Sequence, residues 1–174
     1  MAQINPIGQP SNDSEREAIA YLRDRLPGDY RVLHDFELRS ADGQWFEIDL
    51  AILAPHAIYL VDVKSTYGEI HVAGPKWHPE GRTPFASPLA KLRHHAKLLH
   101  GLLSAAASGP HLALRNVWVQ AAVILTAPDA VLRDPEARDR DNTVKLRGCG
   151  SSKARRDHSR GCHCSGVRGS ARSA

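Results

Sequence analysis

Two carboxylates and a lysine in the middle of the chain have types and spacing that suit phosphate chemistry. Glu47-Ile48-Asp49 is followed by the run Ile58-Tyr59-Leu60-Val61 and then by Asp62-Val63-Lys64. The segments Trp45 to Leu53 and Ala57 to Lys64 read as strands joined by Ala54-Pro55-His56. If that link is symmetric about Pro55-His56, Asp49 faces Asp62 and Glu47 faces Lys64. Period-2 alternation then brings four ionisable groups to one sheet face, with opposed Cβ atoms about 5 Å apart. Two carboxylates that close repel at neutral pH, and a shared proton, a nearby cation or a divalent metal relieves the repulsion. Lys64 neutralises only part of the charge. A hard cation such as Mg²⁺ or Mn²⁺ prefers oxygen ligands and keeps several waters, leaving room for a phosphate. A lysine beside it can orient a water or stabilise charge developing on phosphorus. This is metal-assisted phosphodiester hydrolysis in outline, and it depends on register, because a one-residue slip throws Asp49 to the other face. The competing reading, a solvated strand edge, fits poorly with the apolar run directly before Asp62.

The elements that must position these groups are legible. Asn12-Asp13-Ser14 offers N-caps, with Glu15 and Glu17 in a first turn where the helix dipole favours acids; Ala18, Ile19, Tyr21, Leu22 and Leu26 follow at helical spacing until Pro27-Gly28. Tyr30 to Leu38 alternates as a strand, and Ser40-Ala41-Asp42-Gly43 is a hairpin turn. Ile48, Leu50 and Ile52 are expected together on the face opposite Asp49, and Tyr59, Val61 and Val63 on the face opposite Asp62. A sheet apolar on both sides is covered on both sides. Residues 65–85 carry the glycines and prolines of a long loop, with a short strand at Glu69–Val72. Ser87-Pro88 opens a helix with Leu89, Leu92, Ala96, Leu99, Leu102 and Leu103 on one stripe. Asn116 to Thr126 is a buried strand, and Pro128 to Asn142 is a charged linker or short helix. The order is α-β-β-β-loop-α-β, a mixed α/β architecture.

Lys76-Trp77-His78 with Arg82 mixes aromatic and basic side chains in the loop. That texture suits stacking and phosphate contact with nucleic acid, the alternative being a loop anchored in the core by Trp77. Lys91 is placed with Lys76, Trp77 and Arg82 as a nucleic-acid contact. His94, His95 and His100, with Arg93 and Lys97, are expected on the wet face of the second helix.

Charge divides the chain. Of its 23 Lys/Arg and 19 Asp/Glu, residues 145–174 hold 8 and 1, a net of +7, which leaves residues 1–144 with 15 and 18, a net of −3. The expected organisation is a domain at 12–126, a linker at 127–144 and a basic disordered tail at 145–174, read as an out-of-frame or truncated end. Leu146 and Val167 are the tail's only large aliphatics, too few to offset ordering entropy. All three cysteines (Cys149, Cys162, Cys164) lie in it, and with His163 their spacing suits zinc poorly. No apolar stretch is long enough to span a membrane, and no signal-peptide pattern opens the chain, so a cytoplasmic location is expected.

Glu47-Ile48-Asp49 with Ile58 to Lys64 resembles the Asp…(Asp/Glu)-x-Lys motif of the restriction-endonuclease-like superfamily. Ser14-Glu15-Arg16-Glu17, Tyr67-Gly68-Glu69-Ile70 and Ser87-Pro88-Leu89 resemble its nuclease-related domain (NERD) family, over roughly residues 12–126. The resemblance implies a restriction-endonuclease-like mixed sheet flanked by helices and a Mg²⁺- or Mn²⁺-dependent nuclease acting on DNA. Asp49 and Asp62 would be metal ligands, Lys64 the catalytic lysine, and Glu17 the first-helix acid approaching the metal, with Glu15 competing. Lys91 departs from the family, whose members often carry Gln there. The family includes modules fused to kinases or helicases, among them kinases of bacterial phage-defence systems. The alternative is a non-catalytic nucleic-acid-binding or interaction module of such a protein.

Overall fold

A computed structural model describes residues 1–40 and 42–146. The basic tail beyond Leu146, with its three cysteines and His163, lies outside the described residues.

The main sheet has six strands: β1 (Gln3–Pro6), β2 (Arg31–Arg39), β3 (Trp45–Leu53), β4 (Ala57–Lys64), β8 (Trp118–Leu125) and β10 (Thr143–Lys145), adjacent in that order. β2, β3 and β4 form an antiparallel meander, while β1 joins β2, β8 joins β4 and β10 joins β8, all in parallel. The long strands alternate apolar side chains to both faces, so each face needs a cover. Helix α1 (Asp13–Arg25) covers one through Ala18 and Leu22, which pack with Val32, Leu50, Ile52, Val61 and Val63. Helix α2 (Pro88–Ala106) covers the other through Leu89, Leu92 and Ala96, against Leu60, Ala121, Val123 and Leu125. α1 starts where its cap dictates: the Asn12 side chain accepts the Glu15 N–H at 2.9 Å. α2 begins with Pro88 in its first turn, where a missing N–H costs nothing.

The expected long loop at 65–85 is instead a second sheet. β5 (Glu69–Ala73), β6 (Lys76–Pro79), β7 (Phe85–Ala86) and β9 (Val131–Arg133) pair in the order β7-β6-β5-β9. Most of its glycines and prolines lie between strands, Pro79 being the last residue of β6; Gly74, with φ +57°, closes the β5–β6 hairpin. Ile70 and Trp77 bury into the α2-side core. The segment expected as a linker at 127–144 is folded as well. β9 pairs with β5 and β10 with β8, and Leu146 is buried. Its charged texture hides this because two of its acids, Asp134 and Asp139, are buried. Asp139 accepts from Trp77 Nε1 at 2.7 Å and Ser87 Oγ at 2.5 Å, and Asp134 accepts the backbone N–H of Asp139 and Arg140.

One irregularity shapes the middle of the main sheet. The β2–β3 register is constant from Arg31↔Leu53 to Arg39↔Trp45, but Asp35 and Asp49, which it would oppose, do not pair. Asp35 has φ +54°, in the left-handed region that side chains avoid. Beyond it the side chains change layers. Val32, Leu50 and Ile52 pack on the α1 side, but Phe36, Leu38, Phe46 and Ile48 pack on the α2 side. Ile48, expected on the same face as Leu50 and Ile52, is therefore on the other. Unbroken alternation predicts otherwise, because it assumes that no residue leaves the extended region.

Candidate active site

The site lies where β3 and β4 part. Their ladder runs from Leu53↔Ile58 to Leu50↔Val61, the register expected for a link symmetric about Pro55-His56, and ends one residue before Asp49 and Asp62 would pair. In place of the next backbone bonds, Asp49 Oδ2 accepts the Val63 N–H at 3.0 Å. A strand N–H that lost its ladder partner is thus satisfied by a carboxylate, which pins Asp49 beside Asp62.

Asp62 and Lys64 lie two apart on the α2-side face of β4, with Leu60 next on that face, and Asp62 Oδ1 forms an ion pair with Lys64 Nζ. Among the described residues the buried Asp62 Oδ1 has the Lys64 ammonium as its partner and accepts no backbone hydrogen bond. Asp49 is under visible electrostatic stress. Its carboxyl is pushed up from 3.8 to about 6, first by burial and then by the charges of Asp62 and Glu15, against the Val63 N–H and Lys64, which pull it down. Two carboxylates, one of them reluctant to ionise, thus share one lysine ammonium, which leaves the group net negative when both are ionised.

Of the two first-helix acids, Glu15 reaches this environment. It is 6% exposed, its carboxylate accepts from the Ser11 N–H and Oγ and from Asn12 Nδ2, and its charge acts on Asp49. Glu17, expected to approach the metal, is exposed. Two positions along a helix is about 200° of rotation, so the two acids cannot both face the sheet. The burial pattern Glu15, Ala18, Leu22 identifies the inward side, and spacing from Ala18 and Leu22 was the signal that could have chosen between them. Glu47 also leaves the patch, since it is exposed and opposes Glu37 on β2 instead of Lys64.

The expected nucleic-acid contacts are scattered. Trp77 is fully buried and hydrogen-bonded to Asp139, so it presents no ring face to a base, and the core-anchor reading holds. Lys76 and Lys91 are exposed; Arg82 lies over the ring of exposed Tyr67 with its guanidinium carbon 5.8 Å from the centroid. His95, expected on the wet face, is buried against Phe46 at 4.7 Å between ring centroids, and burial lowers its pKa. α2 must cover both the sheet and the β2–β3 hairpin, so its buried stripe is wider than its leucines indicate. Sequence reasoning passed over buried His34, whose Nδ1 lies 2.7 Å from Asp35 Oδ2 at the left-handed residue beside the site.

Residues 10–126 match the nuclease-related domain family, NERD. The chain belongs to that family. Among curated proteins, a relative in Streptomyces coelicolor (strain ATCC BAA-471 / A3(2) / M145), named a probable kinase PglW, is 30% identical over 120 residues. That alignment takes in 66% of this chain but 7% of the relative, so the NERD chain corresponds to a small part of a much longer protein. No solved structure matches. Among the described residues no helix is long and apolar enough to cross a membrane. Nor do three or more His, Cys, Asp or Glu side chains among them converge as a set that could hold a metal ion. The two carboxylates at the β3–β4 split nevertheless fit a hard cation. Mg²⁺ is typically held by one or two carboxylates, with water and substrate phosphate completing its shell.

Proposed function

We propose that this NERD domain is a Mg²⁺-dependent nuclease that hydrolyses DNA phosphodiester bonds at the β3–β4 split. The observation that carries this reading is the Asp62–Lys64 ion pair beside Asp49, a carboxyl whose pKa is raised to about 6 by burial and by the neighbouring charges of Asp62 and Glu15. Two adjoining carboxylates with one lysine ammonium between them are short of positive charge, which a cation would supply.

Asp49 and Asp62 would hold the ion. When bound, it supplies Lewis-acid stabilisation of charge at phosphorus and lowers the pKa of its water. The Val63 N–H fixes Asp49 Oδ2 and so sets that carboxylate's orientation before any ligand arrives. Lys64, paired with Asp62, would turn to the substrate: its ammonium can hold a phosphate oxygen or the attacking water. Glu15, with both oxygens already bonded to Ser11 and Asn12, would act through its charge or through water. Glu17, exposed on the far side of the helix, has no part. Lys76, Arg82 and Lys91 remain candidates for phosphate contact on exposure and charge, and Arg82 with Tyr67 for stacking. A place beside a kinase domain in a larger protein belongs to the same reading, supported by the kinase named among its relatives; a part in phage defence is proposed with it from the resemblance alone.

The decisive experiment is cleavage of supercoiled plasmid and single-stranded DNA with Mg²⁺ or Mn²⁺, wild type beside Asp62→Ala and Lys64→Ala. Metal-dependent cutting lost in both variants is expected. Cutting retained in both overturns the site. A second reading, a binding module without catalysis, is favoured by one observation: Glu15 is committed to its helix cap, leaving two carboxylates for the cation. Absence of cutting by folded protein whose melting temperature Mn²⁺ and Mg²⁺ leave unmoved would establish that reading.

A further inference from the structure

At the other end of β4 and β8 the surface has a different chemistry. α2, the turn Gly109–Asn116, β8 and Asn142 enclose a groove of about 630 Å³. Arg93, Lys97 and His100 line it from α2, at spacings of four and three that form one helical stripe. Trp118 lines it from the first residue of β8, with Asn116 and Gln120 on either side. No acidic side chain is among its lining residues. That is unexpected in a body where residues 1–144 carry 18 acids against 15 bases.

Trp118 is 64% exposed, although it begins a strand whose later residues form the core. A tryptophan left in water at the mouth of a groove forfeits a large burial energy that a flat ligand would recover. Arg93 is partly engaged: its guanidinium donates to the Arg138 carbonyl at 2.7 Å and to Asp139 Oδ1 at 3.3 Å. Lys97 and His100 are exposed and make no hydrogen bond or ion pair among the described residues. The groove thus offers a fixed cation at its wall, two basic side chains at its rim, a bare aromatic face, and two amides that can meet a base edge.

We propose that this groove binds an unpaired nucleotide of a single-stranded DNA segment, its base stacked on Trp118 and its phosphates at Lys97 and His100. Every base has a π-face, so such a contact tolerates sequence, and a positive groove with an aromatic platform is the general form of single-strand sites. The groove is separate from the β3–β4 split. Trp118 pairs with Ala57, five residues before Asp62, so the tryptophan lies roughly 17 Å along the strands from the aspartates at about 3.3 Å per residue. Binding here requires no metal and does not depend on the catalytic reading.

The test uses the full chain in EDTA, so that no hydrolysis occurs. Trp45, also exposed, is changed to Phe, and Trp77 is buried, so solvent-accessible tryptophan emission reports Trp118 alone. Labelled (dT)12 is titrated while its anisotropy and the protein's emission are followed together. Saturable quenching is expected, with its midpoint raised at least about tenfold by Lys97→Glu combined with His100→Glu, and with a melting temperature close to the parent's. In the Trp118→Ala chain, binding by anisotropy should weaken by a similar factor. An anisotropy change without quenching would place the DNA elsewhere, for instance on the basic tail, and would overturn the proposal. An unchanged quenching midpoint in the double variant would do the same. Titration with dTMP separates the two sources of the chemistry: a midpoint at least tenfold above that of (dT)12 is expected, and equal midpoints would assign the groove to free nucleotides instead.

Discussion

Two groups of buried carboxylates can be set side by side in this fold. Asp139 is 3% exposed and is answered from several directions, by Trp77 Nε1, Ser87 Oγ and Arg93, and it ties the segment after β9 to the small sheet and to α2. Asp49 and Asp62 are close together and have fewer donors than oxygens. One has its pKa raised to about 6, and the other has the Lys64 ammonium as its partner. The difference separates two uses of the same side chain. A carboxylate whose hydrogen bonds are complete stabilises the fold; one held short of partners costs stability and is available to a ligand. Sequence context does not distinguish them, since Asp139 stands in a charged, loop-like run and Asp62 in an apolar strand.

The sharpest way to break this comparison is to remove one member of each group. Asp62→Asn should lower metal-dependent cleavage by a factor on the order of 10²–10³ while leaving the metal-free melting temperature unchanged or raised. Asp139→Ala should do the reverse. With Trp77 Nε1 and Ser87 Oγ left without their acceptor, it should lose about 3 kcal/mol of stability by denaturant titration, with cleavage per folded molecule retained. If Asp62→Asn instead unfolds the chain, the two acids are alike and the comparison fails.

Acid–base behaviour gives a smaller and more specific effect. Because the folded-state pKa of Asp49 lies above its unfolded value, the folded chain holds this proton more tightly. Its contribution to stability is therefore fully present below pH 3.8 and is lost as pH rises through about 6. In EDTA, Asp49→Asn keeps an acceptor for the Val63 N–H and should be more stable than wild type at pH 7.5, by roughly 1 kcal/mol after allowance for solvent screening. The advantage should vanish near pH 4; melting curves at the two pH values would show it. An advantage that persists at low pH would mean that packing, not charge, is responsible.

The finest distinction is between the two first-helix acids. Glu15→Gln keeps one acceptor oxygen, so either the Ser11 N–H or Asn12 Nδ2 loses its acceptor; it should cost about 1–2 kcal/mol while lowering the pKa of Asp49 by removing a like charge. Glu17→Gln should change stability by less than about 0.5 kcal/mol and leave that titration untouched. NMR titration of the Asp49 carboxyl carbon in both variants would decide, and equal shifts would remove Glu15 from the site.

Much of this was legible in the amino-acid order. Alternation and turn residues delimited β3 and β4 to the residue, and the symmetric link set the register that brings Asp49 level with Asp62. Capping placed the start of α1 and proline that of α2, because those signals act through neighbours in the chain. What the sequence could not carry were decisions made by distant partners. Residues 65–85 read as a loop because β6 and β7 are short and the links around them are rich in glycine and proline; what makes them strands is pairing with each other and with β5, which itself also holds β9 from beyond α2 in the chain. The left-handed Asp35 exchanged the faces of β2 and β3, so Ile48 and Glu47 left the places that strict alternation assigns them. Trp77 and His95 were buried by elements beyond the reach of local periodicity. Chain-local physics chose the strands and aligned the two aspartates; only the packed structure determined which acids lack partners, because that depends on which donors the fold brings within 3 Å.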